Sequence, residues 1–133
     1  MKTKTIAYWT TTTLIALETL AGGVTDLAQG RSMLVSGPSV AEVVTQLGYP
    51  LYILVILGVW KLLGAITLLA PCFPRLKEWA YAGIFFELTG AAASQAANGN
   101  WGEVTAPILL TALTITSWAL RPPSRTLPKH AAA

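Results

Sequence analysis

The chain has 133 residues, enough for one domain; 53% of them are hydrophobic and only 11% charged. A soluble domain carries roughly 25% charged residues to cover its surface, so this composition argues against a well-solvated fold and points to lipid as the solvent for much of the chain. The formal net charge of +3 calls for no nucleic-acid partner.

The first apolar stretch runs from Ile6 to Val24. It is the most diluted, by Thr10, Thr11, Thr12, Thr13, Glu18 and Thr19. A cleaved signal peptide would share the basic start at Lys2 and Lys4, but such a core is normally uncharged, and Glu18 favours a retained span. Residues 25–49 form the one long connection. Within it Ser39 and Glu42 have the spacing of a capping box, which satisfies two orphan helix-start N–H groups reciprocally. Val40, Val43, Val44 and Leu47 then recur at helical spacing. Gly48 suits the helix end and Pro50 prevents continuation. This predicts a short amphipathic helix over Ser39–Leu47, lying on the outer membrane face or capping the bundle.

The second stretch, Leu51–Ala70, is apolar except for Lys61. A basic turn from Pro71 to Glu78 follows and holds Cys72; as the single cysteine it cannot form an internal disulfide. The third stretch is Trp79–Ala97, and a Gly/Asn turn with Trp101 leads to the fourth, Val104–Leu120. Each is near the ~20 residues that cross a bilayer as a helix. The tail 121–133, RPPSRTLPKHAAA, has no apolar pattern and is expected to be disordered; its His130 is given no role. The expectation is an all-α fold: an antiparallel bundle of four transmembrane helices in a single domain over 1–120, with the amphipathic helix in the first, outer loop. Lys2, Lys4, Arg75, Lys77, Arg121, Arg125 and Lys129 fall on one side of these spans and Arg31 on the other, which places both termini in the cytoplasm.

Glu18, Lys61 and Glu87 lie well inside spans, where a charge costs about 2.5–3.5 kcal/mol on insertion scales. Lys61 stands nine residues before Ala70 and Glu87 eight after Trp79, so the two share a level, while Glu18 is twelve residues past Ile6. The expectation is a lysine neutralised between these two acids. With two acids to one base, burial would favour one acid in its neutral form. In the third span Ala80, Gly83, Glu87, Gly90 and Ser94 share one side, and in the second Gly58, Lys61, Gly64 and Ala65 cluster likewise. Small residues mark where membrane helices approach, so the charges are expected on packing faces. Thr11, Thr19, Gln95, Thr105 and Thr111 are candidate ligand-binding neighbours. No GxGxxG, CxxC or HExxH run is present, and no metal site or resident cofactor is expected.

The runs LGYP (Leu47–Pro50), GVWKLLGAITLLAP (Gly58–Pro71) and LKEWAYAGIFFELTGAAASQ (Leu76–Gln95) resemble the DoxX-like family of small bacterial membrane proteins, over roughly Leu14 to Trp118. The resemblance implies four transmembrane helices in the bacterial cytoplasmic membrane. It places a family lysine on Lys61 and a Lys-Glu-Trp motif on Lys77, Glu78 and Trp79. Where many members carry His after the GAAAS run, this chain has Gln95, which argues against a titrating imidazole there. Relatives associated with thiosulfate- and quinol-linked oxidoreductases imply a redox or quinone association. Three functions follow as expectations. The first is a membrane accessory subunit with a redox partner protein or bound quinone. The second is a cofactor-free intramembrane isomerase, cyclase or hydrolase acting on a lipophilic substrate, with Glu18 and Glu87 as acid and base and Lys61 holding one of them ionised. The third is a proton-coupled small-solute carrier. A homo-oligomer in the lipid bilayer is the expected assembly.

Overall fold

The computed structural model describes residues 2–31 and 36–128. Five α-helices follow in chain order: α1 (Lys2–Ala28), α2 (Val40–Gln46), α3 (Tyr52–Leu69), α4 (Pro74–Ala97) and α5 (Thr105–Ala119). Short 3-10 turns lie at Trp101–Val104 and Pro123–Arg125. Among the described residues there is no strand, only an isolated bridge between Arg31 and Ser39. The four long helices contact one another in a ring, α1 with α3, α3 with α4, α4 with α5, and α5 with α1. Of these, Tyr52–Leu69 is long and apolar enough to cross a membrane by length and composition.

The short helix forms where the capping box predicts it. Glu42 Oε2 accepts the Ser39 N–H at 2.7 Å, and the Glu42 N–H donates to Ser39 Oγ at 3.3 Å. The hydrogen bonds from the Ser39 backbone and hydroxyl hold the Glu42 carboxyl below its usual range. Gly48 takes φ +84°, the left-handed geometry that ends the helix; the Tyr49 N–H then reaches back to the Val44 carbonyl at 2.9 Å and the Gly48 N–H to that of Thr45 at 3.0 Å.

The interior mixes hydroxyl groups with apolar side chains, while many large apolar side chains face outward. The buried stripe of α1 is Tyr8, Thr12, Ile15, Thr19, Gly23 and Asp26, at three- and four-residue spacing, and α5 buries Thr111, Thr114 and Ser117. Trp60, Ile66, Trp79, Phe86 and Leu109 stand exposed on the outside. Threonines in these helices satisfy their own hydroxyls: Thr11, Thr25, Thr111 and Thr114 each donate to the carbonyl four residues back at 2.8 Å. Ser117 joins three helices, bonding Thr12 Oγ1 at 2.7 Å and the Tyr81 hydroxyl at 2.8 Å. Below it Ile15, Leu68, Tyr81, Ile84 and Leu88 form the apolar core.

α1 and α3 meet backbone to backbone. A Cβ placed on Gly58 would lie 2.7 Å from Leu27 Cγ and 3.0 Å from the Gly23 carbonyl; one on Gly23 would lie 3.0 Å from the Gly58 carbonyl and from Lys61 Cβ. Gly58 has no room for a side chain, and one at Gly23 would press on the Gly58 carbonyl and Lys61 Cβ. At the far end of the pair two cations cap α3, whose last carbonyls have no partner within the helix. Lys77 Nζ donates to the carbonyls of Thr67 at 2.5 Å and Ala70, and Arg125 Nη1 to that of Leu68 at 2.9 Å. Arg125 also stacks over the Trp9 ring, 4.6 Å from its centroid. Residues 121–128, expected to be disordered, therefore fold back onto the helices, because unpaired helix-end carbonyls give Arg125 a buried docking point. Residues 129–133, including His130, lie outside the described residues.

The small residues of α4 correct a second expectation. Gly83 and Gly90 are exposed, and a Cβ on either would meet nothing. The packing stripe is instead Lys77, Tyr81, Ile84, Leu88 and Ala92. Bulk, not smallness, fills this interface, and Gly83 and Gly90 present no side chain on either side of Glu87 along the helix.

One outcome follows. Gly58→Ala should cost about 1–3 kcal/mol through overpacking, while Gly64→Ala, whose Cβ meets nothing, should cost none; thermal unfolding in detergent compares them.

Candidate functional site

Lys61 sits at the centre of the polar interior. Its Nζ lies 2.8 Å from Asp26 Oδ2 on α1 and 2.8 Å from Glu87 Oε1 on α4. The Asp26 side chain is 6% exposed, Lys61 18% and Glu87 24%, so the pair with α1 is closed and the α4 side is open.

The geometry follows from the glycine crossing. Helical side chains lean toward the N-terminus of their own helix. α1 and α3 run antiparallel: Gly23, late in α1, meets Gly58, early in α3, while Arg125 touches both Tyr8 near the start of α1 and Leu68 near the end of α3. Asp26 lies three residues past Gly23 and Lys61 three past Gly58, so the two side chains lean toward each other across the contact. Glu18 lies before the crossing on α1 and leans away.

This corrects the expected trio. The acid on α1 that pairs with Lys61 is Asp26, and Glu18 makes no ion pair or hydrogen bond with the described residues. Glu18 remains a neighbour: the point where a Gly22 Cβ would sit is 3.4 Å from Lys61 Nζ and 3.8 Å from Glu18 Oε1. Ending the first span at Val24 had left Asp26 in the outer loop, whereas α1 continues to Ala28. The signal was present, since Glu18, Gly22 and Asp26 stand at i, i+4 and i+8 on one helical face.

The five candidate ligand neighbours do not converge on Lys61. Thr11 and Thr111 bond their own helices, and Gln95 Oε1 accepts from Asn100 Nδ2 at 3.0 Å in the turn after α4. Thr105 is exposed at the start of α5. Thr19 is fully buried on the stripe of α1, and its hydroxyl has no partner among the described residues. Sequence reasoning also missed the buried Thr12–Ser117–Tyr81 junction and the Arg125 dock.

Chemically, the ammonium has three donors, of which two face carboxylates. The third N–H and the second oxygen of Glu87 can serve a small polar group that both accepts and donates hydrogen bonds. Gly64 stands three residues from Lys61, and Gly83 and Gly90 flank Glu87 by four and three. A Cβ added at any of the three would meet nothing, so the surface at these positions is open. Among the described residues no group of three or more His, Cys, Asp or Glu side chains is arranged to hold a metal ion.

A family profile described as the DoxX-like family matches residues 10–117, a span that contains Asp26, Lys61 and Glu87 and ends before Arg121 and Arg125. No curated protein and no solved structure matches the chain.

Removing one member of a buried pair strands the other charge. Asp26→Asn and Lys61→Met should each cost about 3 kcal/mol, whereas Glu18→Gln should change stability by about 0.5 kcal/mol or less. Equal losses for Asp26→Asn and Glu18→Gln in detergent unfolding would contradict the assignment.

Proposed function

The chain belongs to the DoxX-like family, and from that membership we propose a membrane protein of four spans, α1, α3, α4 and α5, with both termini in the cytoplasm of a bacterial cell. In this reading it is a quinone-associated accessory subunit of a redox system. The Asp26–Lys61–Glu87 cluster receives the polar head of the quinone from the lipid side.

The observation that carries the reading is the one-sided opening of the cluster. A charged site kept only to lock helices would be closed on every side, since an apolar surrounding penalises each exposed charge. Here Lys61 and Glu87 keep part of their surface beside a run of glycines, while Asp26 is sealed. A quinone carbonyl could accept from the Lys61 ammonium, and a quinol hydroxyl could donate to Glu87. The ring and its tail would lie along the open surface at Gly83 and Gly90. Membrane insertion is supported by the exposed Trp, Phe, Ile and Leu side chains around a Thr- and Ser-lined interior, and by the gathering of Lys77, Arg121 and Arg125 at one end of the helices.

Glu18 favours a second reading, a cofactor-free enzyme acting on a lipophilic substrate. A carboxyl beside an ion-paired acid, itself without a partner, is the arrangement that separates proton donor from acceptor. In that case Glu18→Gln abolishes turnover and leaves quinone content unchanged.

For the accessory reading, protein purified in mild detergent should retain quinone in its organic extract. Gly90→Leu, which adds a side chain to that surface and leaves the ion pairs intact, should lower retention about tenfold with unchanged thermal stability. That corresponds to about 1.4 kcal/mol of binding. Absence of quinone from wild type, or full retention in Gly90→Leu, would sink this function.

A further inference from the structure

A cavity of about 500 Å³ lies at the end of the molecule where α3 turns into α4, lined by Phe73, Pro74, Arg75, Leu76, Leu127 and Pro128. Two of its walls come from the C-terminal segment that Arg125 straps to the helix end. Apart from Arg75 the lining side chains are apolar. Of the described cationic side chains at this end that follow α3, Lys77 and Arg125 are occupied with helix carbonyls and Arg121 with Glu78. Arg75 is exposed and makes no ion pair or hydrogen bond with the described residues.

Phe73 adds to the case. It takes φ +65°, a left-handed conformation that a bulky residue rarely adopts. The residue is exposed and lines the cavity. Trp79, also exposed, stands one turn past Arg75 along α4, where an aromatic ring marks a headgroup level.

We propose that this cavity binds one anionic phospholipid. Its phosphate is held by the Arg75 guanidinium, and its glycerol and upper acyl segments lie against Phe73, Leu76 and Leu127. The chemistry matches on both counts: a planar fork of N–H donors suits a phosphate, and a basic, apolar-walled pocket at the cytoplasmic face is a recurrent lipid-headgroup site. The site is separate from the Lys61 cluster and rests only on the membrane topology proposed above.

The test uses full-length protein reconstituted into vesicles of equal parts phosphatidylcholine and phosphatidylglycerol, re-extracted in mild detergent, with bound lipid counted by native mass spectrometry. Wild type should retain phosphatidylglycerol in preference to phosphatidylcholine. Arg75→Gln should reduce that retention about tenfold, the loss of one charge-assisted phosphate contact. Arg75→Lys should fall between, and Lys4→Gln, a cation at the same end but outside the cavity, should behave as wild type. Equal retention of both lipids by wild type, or equal losses in Arg75→Gln and Lys4→Gln, would overturn the assignment. Failure of wild type to enter vesicles would overturn it together with the membrane topology, whereas insertion without Arg75-dependent retention would overturn the lipid site alone.

Discussion

A single ammonium shared between carboxylates of two other helices organises this protein. Lys61 would be among the costliest residues in an apolar helix if left alone. Paired at 2.8 Å with Asp26 and with Glu87, it instead ties α3 to both α1 and α4. The Gly23–Gly58 contact makes this possible by bringing two backbones close enough for opposed leaning side chains to meet. Register, proximity and charge balance at the centre of the molecule are therefore one constraint.

The two ends of α3 are treated differently from its middle. Toward the basic end, Lys77 and Arg125 satisfy carbonyls that the helix cannot, and Ser117 links Thr12 with Tyr81 above an apolar core. The buried polar groups of that half are satisfied, and its opening is the surface cavity beside Arg75. The half containing Lys61 has a surplus of acids, partly exposed Lys61 and Glu87 side chains, and a carboxyl at Glu18 without a partner among the described residues. Helix-end carbonyls and hydroxyls are satisfied in one half, while the other carries the charged cluster and a spare carboxyl.

Much of the architecture was legible in the sequence because hydrophobic run length and capping chemistry are local. The short helix appears with its Ser39–Glu42 box and its Gly48 stop, and the helical character of all four long runs was readable. Lys61 and Glu87 were matched by counting residues from turns that both helices share. Asp26 was missed because its helix outlasts its hydropathy: Thr25, Asp26 and Gln29 look like loop, yet the backbone stays helical through Ala28. The bonds of Thr11 and Thr111 were not legible because a hydroxyl that bonds its own helix four residues back looks the same in sequence as one that reaches a ligand. Arg125 could not be foreseen from a tail without periodicity, since its partners are the carbonyls of a helix more than fifty residues earlier.

The central claim is tested most directly by double-mutant cycles on Lys61, pairing Lys61→Met in turn with neutralised Asp26, Glu87 and Glu18 and reading unfolding free energy in detergent. Coupling energies above about 1 kcal/mol with Asp26 and Glu87, and below about 0.5 kcal/mol with Glu18, are expected. A cycle in which Glu18 couples most strongly, or in which Asp26 does not couple at all, would contradict the account.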